Sequence, residues 1–196
     1  MTFPVPSSRL HARPVLMTRQ CLIFLLLLAA LVSLPSGASC AEYGKDVTVS
    51  LCFTPGSNCT DKIIREIASA RSEILIQAYS FTSAPIAKAL IEAHKRGVKV
   101  AAILDKSQRT AKYTSATFLA NMRIPTYIDA KHAIAHNKVI VIDGAVTITG
   151  SFNFTKAAEE KNAENLLIIR SREIAKAYRE NWHDHLSHSE QYKPKY

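Results

Sequence analysis

The chain has 196 residues, 47% of them hydrophobic, with few glycines and prolines. This excludes a disordered or collagen-like chain and leaves room for one domain with a sizeable core. A formal net charge of +9 favours polyanionic partners such as nucleic acid, an anionic membrane or an acidic polysaccharide. Residues 1–41 stand apart. Arg9, Arg13 and Arg19 precede the apolar run Cys21 to Leu34, the small residues Ser36 to Ala41 follow, and no acid appears before Glu42. The run is short of the ~20 residues that span a bilayer. Positive, apolar, small is the order of a secretory signal peptide, cut after Ala38 or Ala41; an uncleaved anchor is the alternative. Residues 42–196 then form one domain that is periplasmic or secreted.

The expected elements alternate. Val47 to Phe53 is a strand, and Thr60 caps a helix with Ile63, Ile64 and Ile67 on one face. Ile74 to Ser80 is a second strand. Ser83 caps a helix that carries Pro85 early and stops at Gly97. Val98 to Asp105 is a strand, a helix runs from Thr110 to Met122, and Pro125 to Asp129 is a short strand. Ala135 to Asp143 is mostly β-branched and apolar, Asp143-Gly144 is a hairpin signal, and Ala145 to Gly150 is the return strand. A short helix from Lys156, a strand from Glu164 to Arg170 and a helix capped by Ser171 close the chain. This order predicts an α/β fold, a mixed β-sheet sandwich flanked by helices. In an exported chain Cys52 and Cys59, flanking a turn-like hexapeptide, are candidates for a disulfide, with two buried thiols as the alternative.

The chemistry sits in the strand opening on His136. Alternation puts His136 and Lys138 on one face, ~7 Å apart at ~3.3 Å per residue. Burying a lysine costs several kcal/mol, on the order of an unpaired ion, unless an anion meets it. A phosphate would: lysine neutralises its oxygens, and imidazole attacks phosphorus or protonates a leaving oxygen. The hairpin returns Ser151 and Asn153 toward His136, where hydroxyl and amide can hold phosphate oxygens. Glu164 opens the next strand and can hold the far nitrogen of His136. Asp143 points to the opposite strand face and reads as a hairpin residue. Gln77 either faces the site or is a core amide. Phe152 and Phe154 either stack on bases or pack in the core.

His136-Asn137-Lys138, Asp143, Gly150 and Ser151 resemble the H-x-K-x4-D-x6-G-S motif of the phospholipase D superfamily. The runs TGSFNFTKAAEEKNAEN and ILIQAYSFTSAPIAKAL look similar to its small bacterial Nuc-type endonucleases. The resemblance implies His136 as nucleophile forming a phosphohistidine, with catalytic roles at Lys138 and Glu164 and a motif position at Asp143. It places Ser151 and Asn153, with Gln77 as a weaker candidate, in substrate binding. Larger relatives carry two motif copies and this chain has one, so it implies a homodimer sharing one site across its two-fold axis. The implied reaction is hydrolysis of DNA, with RNA as a further substrate, without metal or other cofactor. A phospholipase acting on a lipid such as cardiolipin and a DNA-binding protein with a vestigial site are the competing readings. The tract His183 to His188 invites a metal reading, but within it only His185 and His188 share a helix face, so no metal is expected. Lys131 and His132 read as a solvated loop or as contacts to substrate backbone.

Overall fold

The computed structural model describes residues 46–111 and 114–194. The expected leader and its cut, with Cys21 and Cys40, lie outside the described residues. The elements in chain order are β1 (Thr48–Thr54), α1 (Cys59–Ser69), β2 (Glu73–Ala78), α2 (Ala84–Lys95), β3 (Lys99–Asp105), a 3-10 turn (Lys106–Arg109), α3 (Ser115–Asn121), β4 (Thr126–Asp129), β5 (Lys138–Ile142), β6 (Val146–Gly150), α4 (Lys156–Glu160), β7 (Glu164–Arg170), α5 (Arg172–Leu186) and β8 (Glu190–Gln191). The strands form one mixed sheet in the order β1-β7-β6-β5-β2-β3-β4-β8. β2, β3 and β4 run parallel, whereas β5, β6, β7 and β1 add antiparallel on the other side. This is the mixed, helix-flanked sheet expected.

Both faces of the central strands are apolar because both are covered. Ile74, Ile76, Val100, Leu104, Ile140 and Ile142 pack with Ile63, Ile67, Ile86 and Leu90 of α1 and α2. Leu75, Ile103, Val139 and Val141 pack under Ala175 and Trp182 of α5. Full burial of each such side chain contributes ~1.5–3 kcal/mol. The Trp182 indole donates to the Ile76 carbonyl at 2.9 Å, so its one polar group is satisfied in the core.

Several local expectations change. The helix α1 begins at Cys59 with no side-chain cap from Asn58, so Thr60 is not its cap. The Glu159 carboxylate instead accepts from the Cys59 and Thr60 amides at 3.1 and 2.7 Å, a cap supplied from α4. Ser83 and Ser171 do cap α2 and α5. Cys52 and Cys59 form a disulfide. The strand β2 ends at Ala78 and β5 begins only at Lys138, so Tyr79, Ser80 and His136 belong to the loops at the rim. α3 spans Ser115–Asn121, shorter than the Thr110 to Met122 expected. The two-residue β8 was not foreseen, being too short to show any alternation.

The hairpin between β5 and β6 follows expectation. Asp143 and Gly144 have φ of 52 and 58, and the Ala145 amide donates to the Ile142 carbonyl at 3.0 Å. Two successive left-handed residues give the turn whose twist matches the strands.

Candidate active site

β2 and β5 pair so that Ala78 lies opposite Lys138. β5 and β6 pair with Ile140 opposite Ile148; the same register carried to the rim sets Lys138 opposite Gly150, and Gly150 lies opposite Leu166. The rim of the sheet therefore gathers the ends of four strands. Gly150 is required there. Its φ is 145, and a Cβ would stand 2.2 Å from the Asn165 carbonyl oxygen.

Lys138 is 7% exposed, while His136 beside it is exposed. The Lys138 Nζ donates to the His136 carbonyl at 2.8 Å and lies 3.1 Å from its Nδ1. The expectation that both side chains stand on strand β5 is corrected: His136 precedes the strand, and the lysine reaches back to it. Among the described residues Lys138 has no ion pair within 4.0 Å. Burial pushes its pKa below the usual lysine value, and the charge of Glu164 pulls partly back.

Tyr79 completes the cluster and was missed in the sequence. Its amide donates to the Asn137 carbonyl at 2.8 Å. Its ring lies 4.6 Å from the His136 ring and 5.1 Å from the Lys138 ammonium, within cation-π range. The only signal was its position near the end of the strand expected from Ile74 to Ser80.

Ser151 and Glu164 meet directly. The Ser151 hydroxyl donates to Glu164 Oε2 at 2.6 Å and accepts from the Asn165 amide at 3.0 Å. The amide nitrogen of the Asn162 side chain donates to Glu164 Oε1 at 3.1 Å. Here Ser151 holds the carboxylate, and Glu164 acts on Lys138 through its field, with its hydrogen bonds spent on Ser151 and Asn162. Asn153 has a buried Oδ1 without a partner. Its loop is pinned beside the segment after β2, where the amides of Thr82 and Ser83 donate to the Phe154 carbonyl at 3.0 and 2.9 Å.

Four candidate residues lie elsewhere. Asp143 is at the far end of β5, where its carboxylate accepts from the Arg71 amide, the Ser72 amide and hydroxyl, and the Glu73 amide at 2.7–3.0 Å. It clamps the turn between α1 and β2, the structural role its strand face predicts, and it is removed from the catalytic group. Burial pushes its pKa up, and the hydrogen bonds from Glu73, Ser72 and Arg71 outweigh this and leave it below the usual value. Gln77 is opposite Val139, on the α5 face and away from Lys138. It is 2% exposed and its Oε1 has no partner. Phe152 and Phe154 are 1% and 0% exposed, which removes base stacking; Phe154 packs edge-on against Phe81 at 5.8 Å.

A buried ammonium without a carboxylate, an accessible imidazole and a carboxylate oriented by a hydroxyl, all at one sheet rim, mark a hydrolase of phosphodiester bonds. The comparisons agree. Residues 63–186 match the family described as "Cardiolipin synthase, PLD-like domain". A phospholipase D of Rickettsia felis is 48% identical over 134 residues, 68% of this chain and 67% of that protein. A mitochondrial cardiolipin hydrolase of Xenopus tropicalis is 30% identical over 121 residues, 62% of this chain and 58% of that protein. Among solved structures, Nuc from Salmonella typhimurium, a phospholipase D family member, superposes with a TM-score of 0.73 at 36% identity over 76% of this chain and 99% of its own. The chain belongs to the phospholipase D superfamily.

Proposed function

We propose that this chain is an exported phosphodiesterase that cleaves DNA, and RNA as a further substrate, without base specificity. The observation that carries the reading is Lys138, a buried ammonium with no carboxylate at contact distance among the described residues, beside the exposed imidazole of His136. A phosphodiester is the anion that completes it. Without the expected leader, residues 1–41 with their three arginines and no acid, the net charge is still +6, which supports a polyanion, and phosphate contacts alone predict steep salt dependence and little sequence readout. No helix among the described residues is long and apolar enough to cross a membrane.

The proposed reaction needs no catalytic metal. One motif copy supplies one imidazole, so two chains are proposed to share a site. His136 of one copy attacks phosphorus through Nε2. The bond to the leaving oxygen breaks, and His136 of the other copy, which must enter the step as the doubly protonated imidazolium, gives that oxygen a proton and becomes a neutral imidazole. Water then attacks the phosphohistidine, giving its proton to the second imidazole, and the phosphorus–nitrogen bond breaks. At rest the Lys138 ammonium donates to Nδ1, which puts the His136 proton on Nε2. Attack by Nε2 needs that proton on Nδ1. A bound phosphate would draw Lys138 onto its own oxygens and free Nδ1; for Glu164 to accept a hydrogen bond from Nδ1, as proposed, it would have to turn from the Ser151 and Asn162 bonds it makes at rest.

One observation favours a second reading, hydrolysis of a phospholipid. Ile134 is 58% exposed two residues before His136, an apolar side chain at the site's edge, and the curated relatives carry lipid-hydrolase names. A panel of plasmid DNA, single-stranded DNA, RNA and anionic phospholipid vesicles, in EDTA, separates the two. Nucleic-acid cleavage is expected and should vanish in His136→Ala. Headgroup release with untouched nucleic acid would overturn the nuclease reading. Mixed dimers of wild type and His136→Ala should fall well below half of full activity; half or more would contradict the shared site.

A further inference from the structure

Four side chains with metal-ligand atoms converge on the face of the sheet opposite Lys138. Asp129 ends β4 and is 0% exposed. Its Oδ1 accepts from the Lys131 and His132 amides at 3.1 and 3.4 Å. That turns Oδ2 toward three imidazole nitrogens: His132 Nδ1 at 2.9 Å, His185 Nδ1 at 2.7 Å and His188 Nε2 at 3.4 Å. All four ligand atoms lie within 4.8 Å of one another. His132 comes from the loop after β4, His185 from the last turn of α5, and His188 from just beyond that helix.

A single carboxylate oxygen has two lone pairs and is a poor common acceptor for three N–H groups. One divalent ion at the centre would use one lone pair from each ligand at once. We infer that Asp129, His132, His185 and His188 bind a zinc-class divalent cation. Three imidazoles and one carboxylate suit zinc, cobalt or nickel, whereas magnesium and calcium take oxygen shells. Four protein ligands fill a tetrahedral shell, which makes the ion structural. Tetrahedral ligand bonds of ~2.0–2.2 Å set the ligand atoms ~3.3–3.6 Å apart, so the 2.9 and 2.7 Å contacts of Asp129 Oδ2 with His132 and His185 would open around the ion while the wider separations, up to 4.8 Å, close. His132, whose side chain is 43% exposed, has room to turn and leaves a path for the ion. The two backbone amides on Oδ1 already hold the carboxylate as an outer shell would.

The ion would fasten the segment between β4 and β5 to the end of α5. That segment carries His136; its other ties include the Ala135 amide on Asp105 Oδ2 at 2.8 Å, Lys106 on the His132 carbonyl at 3.1 Å and the Tyr79 amide on the Asn137 carbonyl at 2.8 Å. Being on the other face from Lys138, the ion takes no part in phosphoryl transfer.

The test uses tag-free full chain, stripped with chelator, desalted and titrated with Co2+. One equivalent should bind with the intense visible bands of four-coordinate cobalt, and one equivalent of Zn2+ should bleach them. Zn2+ should raise Tm, and EDTA should reverse the rise. His185→Gln and His188→Gln should each lose about a hundredfold or more in Zn2+ affinity, at least what an outer-shell change costs. Sub-stoichiometric binding, the pale spectrum of six-coordinate cobalt, or unchanged affinity in both variants would overturn the site. Should a variant fail to fold, the wild-type cobalt titration decides alone.

Discussion

Lys138 is bound to His136 through two contacts of a single ammonium, 2.8 Å to the carbonyl oxygen and 3.1 Å to Nδ1. Neither contact brings a counter-charge. The fold thus carries a buried cation at a net cost to stability, and its burial lowers the lysine pKa. For a base this sign means that the unfolded chain binds more protons between the two pKa values. Stability rises with pH there, and the whole cost is present below the folded value.

The first prediction follows from that cost. Lys138→Met should leave stability unchanged or raise it by ~1–2 kcal/mol, as for other buried ions replaced by apolar groups. Activity should fall ~10²–10³-fold or more, the cost of losing a charge aimed at the reacting phosphate. Urea unfolding and kcat on the same preparation check both. A variant that is less stable yet still active would make Lys138 a structural residue.

The pH dependence of kcat/KM tests the same group in the free enzyme. Activity should decline on the alkaline side as Lys138 loses its proton, at a pH below the ordinary lysine value of 10.5. Glu164 acts against the lowering. Glu164→Gln should therefore move the alkaline limb further down in pH as well as reduce the rate. An alkaline limb that Glu164→Gln leaves in place would separate it from Lys138.

Asp143 belongs to the motif and yet lies at the other end of its strand. Four donors from Arg71, Ser72 and Glu73 converge on its carboxylate. Asp143→Ala should cost ~2–4 kcal/mol, since hydrogen bonds to a charged group contribute ~1.5–3 kcal/mol each and water replaces part of them. The kcat of the folded variant should stay within a few fold. Its lowered pKa contributes stability above the unfolded carboxyl value of ~3.9, lost as pH falls through the folded value. Acid denaturation of Asp143→Asn should accordingly show a flatter dependence on pH than wild type. A large fall in kcat with intact stability would return Asp143 to the catalytic group.

The neighbourhood of His136, Lys138, Ser151 and Glu164 was legible in the sequence, because one hairpin and the next strand carry them, but not who meets whom: Glu164 was expected on His136 and is bonded to Ser151 and Asn162 instead. Asp143 was also legible, because a residue five positions from Lys138 on a strand faces the other way. Tyr79 was not, because it reaches His136 only through the pairing of β2 with β5, a register that no local pattern announces. The same holds for Glu159 as the cap of α1, contributed from 100 residues away. The histidine cluster failed for the same reason. Within one helix His185 and His188 make an incomplete shell, and the missing half, Asp129 with His132, is brought over by the packing of α5 on the sheet, 56 residues apart for Asp129 and His185. The placement of His136 off the strand follows from its own hydrogen bonding: β5 pairs with β2 only from Lys138 onward.

Two glycines in the motif region make a last prediction because they differ in what surrounds them. At Gly150 a Cβ meets the Asn165 carbonyl oxygen at 2.2 Å and its carbon at 3.0 Å, with φ at 145; at Gly144 φ is 58 and nothing lies within 4 Å. Gly144→Ala should therefore cost ~1–2 kcal/mol, the left-handed backbone penalty alone, with kcat unchanged. Gly150→Ala has to move backbone on β7, where no flexible side chain can yield. It should cost at least ~2–4 kcal/mol. It should also lower kcat, because the displaced residues are those that set Ser151 against Glu164. Chemical denaturation and kcat of the two variants side by side decide this; equal losses of stability, or full activity in Gly150→Ala, would show that the close approach of β6 to β7 does not position the carboxylate.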